Sequence, residues 1–205
     1  MGEWWLLPVA YLVGSIPWGL LIVRLARGVD VRRYGSGSTG TTNVLRTAGK
    51  GLAILVLAAD TGKGVLIVSL SRLLSDDPII HAAVGVLVIA GHVWPIFAGF
   101  RGGRGVATGV GAAAGLDPLA ALMGMVTFIP TVWLTRYVSL GSVAGVFGTV
   151  TTIIVRSFIG TNPLAYLWFG FIGGGMVIFV HRANIKRLLN GTERRLGEAT
   201  AVTNP

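Results

Sequence analysis

Hydrophobic runs of about 20 residues recur along this chain, the length that a helix needs to cross a bilayer. The first is Trp4 to Leu25, followed by Gly51 to Leu74 and Pro78 to Phe100. Val106 to Leu134 is a 29-residue apolar stretch interrupted by Gly115-Leu116-Asp117-Pro118. Asp-Pro signals a turn and a helix start, so two short spans meeting at Asp117 fit better than one over-long helix. Val138 to Phe158 and Pro163 to Val180 complete a set of seven expected spans. The first run lacks a basic leader and a small-residue cleavage site, so it reads as a span and not a signal peptide. The expected architecture is all-α: one polytopic membrane domain over residues 1–205 with seven transmembrane helices.

Composition supports this and narrows the function. Charged residues are 12% of the chain and apolar residues 53%, whereas a soluble domain carries about 25% charged residues. Too little surface charge remains for a nucleic-acid groove, and without cysteine there is no disulfide scaffold. The net charge is nevertheless +9, and 14 of the 17 cations fall on one side of the expected spans, from Arg24 and Arg46 through Arg101, Arg104 and Arg136 to Arg195. The other side holds Arg72 and Arg156 among Glu3, Asp76, Asp77 and Asp117. The positive-inside rule then places the N-terminus outside and the C-terminus in the cytoplasm, with Trp4, Trp5 and Trp168 as interfacial anchors.

Topology alone explains most of that charge, but not the glycines beside it. Tyr34-Gly-Ser-Gly-Ser-Thr-Gly-Thr-Thr-Asn43-Val-Leu-Arg46 alternates glycine with hydroxyl residues before a helix start. Glycine lets backbone N–H groups converge on an anion, and arginine matches phosphate with a planar fork. Residues 35–40 also spell G-x-G-x-x-G, but no strand precedes them and Asp60 lies in an apolar span, so a dinucleotide fold is rejected. A second loop, Phe100-Arg101-Gly-Gly-Arg104-Gly-Val-Ala-Thr108, again sets arginine among glycines before a helix. Ser139 and Ser142 stand together before the sixth span, and His181 and Asn184 share a helical face after the last. Asp60 and Lys63, inside the second span, are spaced to pair with each other and brace the bundle.

Several chemistries lack their parts. There is no His/Asp/Glu/Cys cluster at metal-ligand spacing, no G-x-x-x-x-G-K-[ST] and no G-x-S-x-G elbow. None of the three histidines is followed five positions later by Asp, so the H-x-x-x-x-D motif of the common glycerolipid acyltransferases is missing. Cationic, glycine-rich loops around an apolar bundle point to phosphorylated substrates, one of them a lipid.

The Gly35-Ser-Gly…Thr42-Asn43-Val-Leu-Arg46 run, the Gly91-His92…Arg101-Gly-Gly-Arg104-Gly-Val-Ala-Thr108 run, Ser139-Leu-x-Ser142 and the His181-Arg-x-Asn184…Gly191-Thr-Glu193 tail occur in this order. Together they resemble the bacterial membrane glycerol-3-phosphate acyltransferases of the acyl-phosphate-dependent type. That resemblance implies a seven-span inner-membrane enzyme whose site faces the cytoplasm. It implies acyl transfer from acyl phosphate to the 1-hydroxyl of glycerol 3-phosphate, giving lysophosphatidic acid and phosphate. It implies no cofactor and no metal, the bilayer as surroundings, and no protein partner.

Mapped onto this chain, the resemblance implies that Ser36, Gly37, Thr42, Asn43, Arg46, Arg104 and Ser142 bind substrate phosphate. Gly102, Gly103 and Gly105 would offer N–H groups to acyl phosphate, and Asn184, His181 and Ser36 would be catalytic. The family commonly has Asn at Ser38, Ala at Thr41, and Lys at Arg101 and Arg104, so the contacts at 104 are expected to differ. An organic-phosphate transporter is the competing reading, and it predicts internal pseudo-symmetry that these unrepeated spans lack. A lipid-binding scaffold would leave the glycine-hydroxyl loops unexplained.

Overall fold

The computed structural model describes residues 2–198, and the regular structure among them is helical throughout, with no strand. In chain order the helices are α1 (Leu6–Gly14), α2 (Trp18–Arg27), α3 (Thr41–Ala48), α4 (Lys50–Leu74), α5 (Pro78–Val93) and α6 (Val106–Leu116). They continue as α7 (Pro118–Thr135), α8 (Val138–Phe158), α9 (Tyr166–Trp168), α10 (Gly174–Val180) and α11 (Arg182–Leu189), with a π-helical stretch Phe169–Gly173 between α9 and α10.

The punctuation follows local chemistry. Asp77 and Asp117 cap α5 and α7 by accepting the N–H of Ile79 (2.9 Å) and of Leu119 (3.0 Å), each with proline at the first helical position. The apolar stretch therefore divides at Asp117 as expected. Two other boundaries differ from expectation. The first run breaks at Ser15-Ile16-Pro17, because proline has no N–H to continue the ladder. The third helix stops at Val93 instead of Phe100, since Pro95 turns the chain into a short 3-10 segment, Ile96–Ala98.

Five segments are long and apolar enough to cross a bilayer: Glu3–Arg27, Lys50–Leu74, Pro78–Ala98, Pro118–Thr135 and Val138–Phe158. A sixth arises if Tyr166–Val180 and Arg182–Leu189, bent by 58°, are counted as one. By length alone, five or six of the seven expected spans are found. With 11 residues, α6 covers only about 16 Å at 1.5 Å per residue, roughly half a hydrocarbon core.

The helices pack pairwise, α7 along α8, α4 along α6 and α1 along α5. Glycine sets two of these approaches: a methyl group at Gly64 would strike the Thr108 carbonyl, and one at Gly91 would strike the Tyr11 carbonyl. In lipid, such small-residue contacts supply the close backbone packing that the hydrophobic effect cannot drive. The core between them holds Leu6, Val84, Val88, Ala112, Leu116 and Ile153.

Asp60 and Lys63 pair as expected, Nζ to Oδ1 at 2.9 Å and both buried. The Lys63 ammonium also donates to the Gly14 carbonyl (2.9 Å) and the Ile16 carbonyl (3.0 Å). It thus satisfies the Gly14 carbonyl, which would otherwise be costly away from water where α1 breaks, and joins the Trp18 N–H (3.1 Å) on the Ile16 carbonyl.

The two ends of the bundle are chemically distinct. At one end Arg156 pairs with Asp117 (2.7 Å), Asn162 donates to Asp117 (2.7 Å) and Ser75 donates to Glu3 (3.3 Å). At the other, the Thr39 N–H reaches the Gly102 carbonyl (3.3 Å), and Ser139 reaches Glu193 (2.8 Å). The second end carries the expected site.

Candidate active site

Asn43 organises the first glycine loop. It is buried at the start of α3, and its Nδ2 donates to the carbonyls of Val31 (3.2 Å), Tyr34 (3.1 Å) and Ser38 (2.8 Å). Its Oδ1 accepts the Ser36 N–H at 2.8 Å. The loop turns through Gly35 and Gly37 at φ of 62° and 71°, a left-handed backbone that suits glycine. The outcome is a clasped loop with the Ser36 side chain exposed on it.

The second loop is built against His92. The Gly103 N–H donates to the His92 carbonyl at 3.1 Å, and a methyl at Gly102 or Gly103 would collide with His92 itself. Gly105 enters α6 at φ of 80°. Because the Gly102 carbonyl accepts from Thr39, the two glycine loops are fastened to each other.

The C-terminal segment closes the site through one carboxylate. Glu193 accepts from Asn184 Nδ2 (2.6 Å) and Ser139 Oγ (2.8 Å) on Oε1, and from Arg187 Nε (2.6 Å) on Oε2. Burial pushes its pKa up, but the hydrogen bonds from Asn184, Ser139 and Arg187 outweigh this and hold it below the ordinary glutamate range. His181, in the bend between α10 and α11, donates its Nδ1–H to the Val177 carbonyl at 2.8 Å. That fixes the tautomer and leaves a lone pair on Nε2.

These pieces surround one cavity of about 600 Å³. Ser36, Thr41, Thr42, Arg46, Arg104 and His181 supply its polar wall, and Ile54, Leu57, Val110, Met125, Phe128 and Val138 its apolar wall. Ile54 is 65% and Leu57 46% exposed, so the apolar wall opens sideways, where lipid would lie. Arg46 and Arg104 are the decisive groups. Both are half-buried, and neither makes an ion pair or side-chain hydrogen bond among the described residues. Burial lowers the pKa of each, and Arg187 presses both the same way. An arginine stays charged regardless. Glu193 offsets part of both charges from a distance, but two arginines unpaired at contact distance in a desolvated pocket suit an anion.

The sequence profile described as glycerol-3-phosphate acyltransferase matches residues 4–191. The chain belongs to the glycerol-3-phosphate acyltransferase family. It is 43% identical over 202 residues to glycerol-3-phosphate acyltransferase 3 of Dehalococcoides mccartyi, covering 93% of this chain and 94% of the relative. The glycerol-3-phosphate acyltransferase of Halalkalibacterium halodurans is also 43% identical, over 97% of this chain and 98% of its own. Among solved structures, PlsY (YgiH), an integral membrane glycerol 3-phosphate acyltransferase, superposes in its glycerol 3-phosphate form with a TM-score of 0.86 at 36% identity, covering 94% of each chain. Its lysophosphatidic acid form gives 0.85 at 35% identity, again over 94% of each.

Within this family frame, the structure brings Ser36, Thr42, Asn43, Arg46, Arg104, Gly105, Ser142 and His181 to the one cavity. Gly37, Gly102, Gly103 and Asn184 do not line it. Asn43 differs from a phosphate ligand in that its amide is fully engaged by the loop. The expectation that Gly103 offers its N–H to acyl phosphate is corrected, because that N–H goes to the His92 carbonyl. Asn184 reaches the site through Glu193. Ser142 Oγ donates to the Val138 carbonyl at 2.8 Å, keeping only lone pairs for a ligand. Sequence reasoning assigned no role to Glu193, although it is the one carboxylate in the cationic run from Arg182 to Arg195. It also passed over Thr41, which lines the cavity and whose buried hydroxyl has no partner among the described residues.

Proposed function

We propose that this protein transfers a fatty acyl group from acyl phosphate to the 1-hydroxyl of glycerol 3-phosphate, producing lysophosphatidic acid and inorganic phosphate. The observation that carries this reading is the unpaired Arg46–Arg104 pair at the mouth of a cavity whose other wall is apolar and opens toward lipid. Two phosphates and an acyl chain suit that wall. The family relatives bear acyltransferase names, which favours an enzyme over a transporter.

Acyl phosphate is an activated mixed anhydride, so positioning and charge stabilisation carry most of the catalysis. Arg46, with Ser36 and Thr42, binds the acceptor phosphate, and Arg104 binds the donor phosphate. His181 Nε2 accepts a hydrogen bond from the glycerol hydroxyl and aims its oxygen at the acyl carbonyl. The new ester C–O bond forms, the bond from acyl carbon to bridging phosphate oxygen breaks, and the proton leaves on the phosphate. Asn184, held by Glu193, orients the acceptor beside His181. Ile54, Leu57 and Phe128 hold the acyl chain.

The same reading places the single domain, residues 1–205, in a bacterial inner membrane with seven crossings, the N-terminus outside and the site on the cytoplasmic side. Two observations support it. In the sequence, 14 of the 17 cations fall on the side of the expected spans that carries Arg46 and Arg104. Helix α6 runs from Gly105 at the cavity to Asp117, which pairs with Arg156 at the opposite end, so it traverses the bundle despite its length. Donor identity is tested by incubating protein in lipid nanodiscs with glycerol 3-phosphate and either acyl phosphate or acyl-CoA. Lysophosphatidic acid should form with acyl phosphate alone; formation from acyl-CoA alone rejects the proposed donor.

A further inference from the structure

His92 closes α5 and is 6% exposed, yet nothing in the proposed mechanism uses its ring. Its Nδ1 lies 3.1 Å from Lys63 Nζ and 3.4 Å from Asp60 Oδ1. Its Nε2 makes no hydrogen bond among the described residues, while the residue lines the large cavity. A ring nitrogen without a protein partner, on a buried residue that lines a cavity, is available to a ligand.

The proton inventory decides what Nε2 offers. An ammonium has three protons, and Lys63 meets three acceptors in hydrogen-bond geometry: Gly14 O, Ile16 O and His92 Nδ1. Asp60 balances its charge from 2.9 Å. A lysine proton on Nδ1 leaves the ring hydrogen on Nε2, and a fully protonated ring would place one there too. With Nδ1 accepting from Lys63, the free nitrogen is a donor. It lies against Gly103, where any side chain would collide with it, so glycine lets the loop pack on the ring.

We propose that His92 is a further donor-substrate ligand: its Nε2–H hydrogen-bonds an anionic oxygen of the acyl phosphate, with the ring fixed by Lys63 and Asp60. This rests on the acyl-phosphate reading above. The loop of Gly102–Gly105 packed on the same ring belongs to the donor side of the cavity, together with Arg104. Asp60 and Lys63 then act as positioning residues: they brace the break after α1 and set the His92 tautomer through one ammonium.

Two variants separate ligand from brace. His92→Asn keeps an acceptor near Nδ1 for Lys63 and removes the group at Nε2. His92→Gln reaches the Nε2 position with an N–H and abandons Lys63. In nanodiscs, His92→Asn should raise KM for acyl phosphate roughly tenfold, about one lost hydrogen bond, with KM for glycerol 3-phosphate and Tm unchanged. His92→Gln should restore KM for acyl phosphate to within about twofold and lower Tm. Wild-type KM for acyl phosphate in His92→Asn overturns the proposal. So does a rise confined to glycerol 3-phosphate.

If neither variant folds, ring-15N-histidine protein in a His81→Gln background supplies the test. His181 and His92 differ in tautomer, and His92 Nε2–H should shift on titration with inorganic phosphate. An unmoved resonance at saturation overturns the proposal. Wild-type protein that releases no phosphate from acyl phosphate defeats the acyl-transfer reading instead, and the phosphate titration still reports whether His92 binds an anion.

Discussion

Replacing Glu193 by glutamine isolates the carboxylate that gathers Asn184, Ser139 and Arg187. The side chain keeps its length and one carbonyl acceptor, so Asn184 and Ser139 retain a partner of neutral strength. What disappears is the charge. Hydrogen bonds to charged groups contribute roughly 1.5–3 kcal/mol against about 1 for neutral ones, so two weakened bonds lose about 1–4 kcal/mol together. The Arg187 pair adds little, because its guanidinium side chain is 41% exposed and solvent-screened pairs contribute at most about 1 kcal/mol. A total near 2 kcal/mol corresponds to about a 30-fold fall in kcat/KM if the lost order is all in the positioning of Asn184. Steady-state phosphate release from acyl phosphate at varied glycerol 3-phosphate measures it, with Tm recorded on the same samples. Wild-type kinetics with a lowered Tm would refute the argument, since Glu193 would then brace the tail without shaping the site.

Other substitutions test the remaining parts. Arg46→Ala and Arg104→Ala should each lower kcat/KM by at least about 100-fold while leaving Tm level or raised, because each removes an unpaired buried cation; a lowered Tm with retained turnover contradicts the assignment. Asn184→Ala should abolish measurable turnover in folded protein, read by phosphate release and size-exclusion profile. Gly64→Val should lower Tm sharply by forcing α4 from α6 at the Thr108 carbonyl, and wild-type Tm would remove glycine from that contact. Below the ordinary glutamate range, acid should unlock the C-terminal segment. Glu193 has a depressed folded-state pKa, so its stabilisation is complete above the unfolded value and is lost as pH falls through the folded one. Protection of the Asn184 amide in hydrogen exchange should fall over that interval in wild type and not in Glu193→Gln.

Much of the fold was legible because it is written in local signals. Apolar runs marked the helices, and Asp117-Pro118 marked the division that the structure makes there. Pro17 and Pro95 carried equally local signals, but inside hydrophobic runs they were masked by the hydropathy around them. The glycines misled in part. Beside arginine they indicated phosphate loops, whereas Gly64 and Gly91 set helix contacts that only the packed bundle reveals.

Site residues were legible where chemistry is concentrated in one segment, as around Arg46 and Arg104. They were not where the unit is assembled from distant segments. The Asp60–Lys63 pair could be read from its spacing, but its third member, His92, lies 29 residues beyond Lys63. Asn43 looked like a ligand because its type fits phosphate; only its four loop hydrogen bonds show that its amide is engaged.

The most direct test of acyl transfer in this cavity is phosphorus NMR of wild-type protein in nanodiscs with acyl phosphate and glycerol 3-phosphate. Acyl phosphate should be consumed while inorganic phosphate and 1-acylglycerol 3-phosphate appear in equal amounts, and Arg46→Ala should halt all three changes. Phosphate release that proceeds equally without glycerol 3-phosphate, or without the acylated product, would contradict acyl transfer in this cavity.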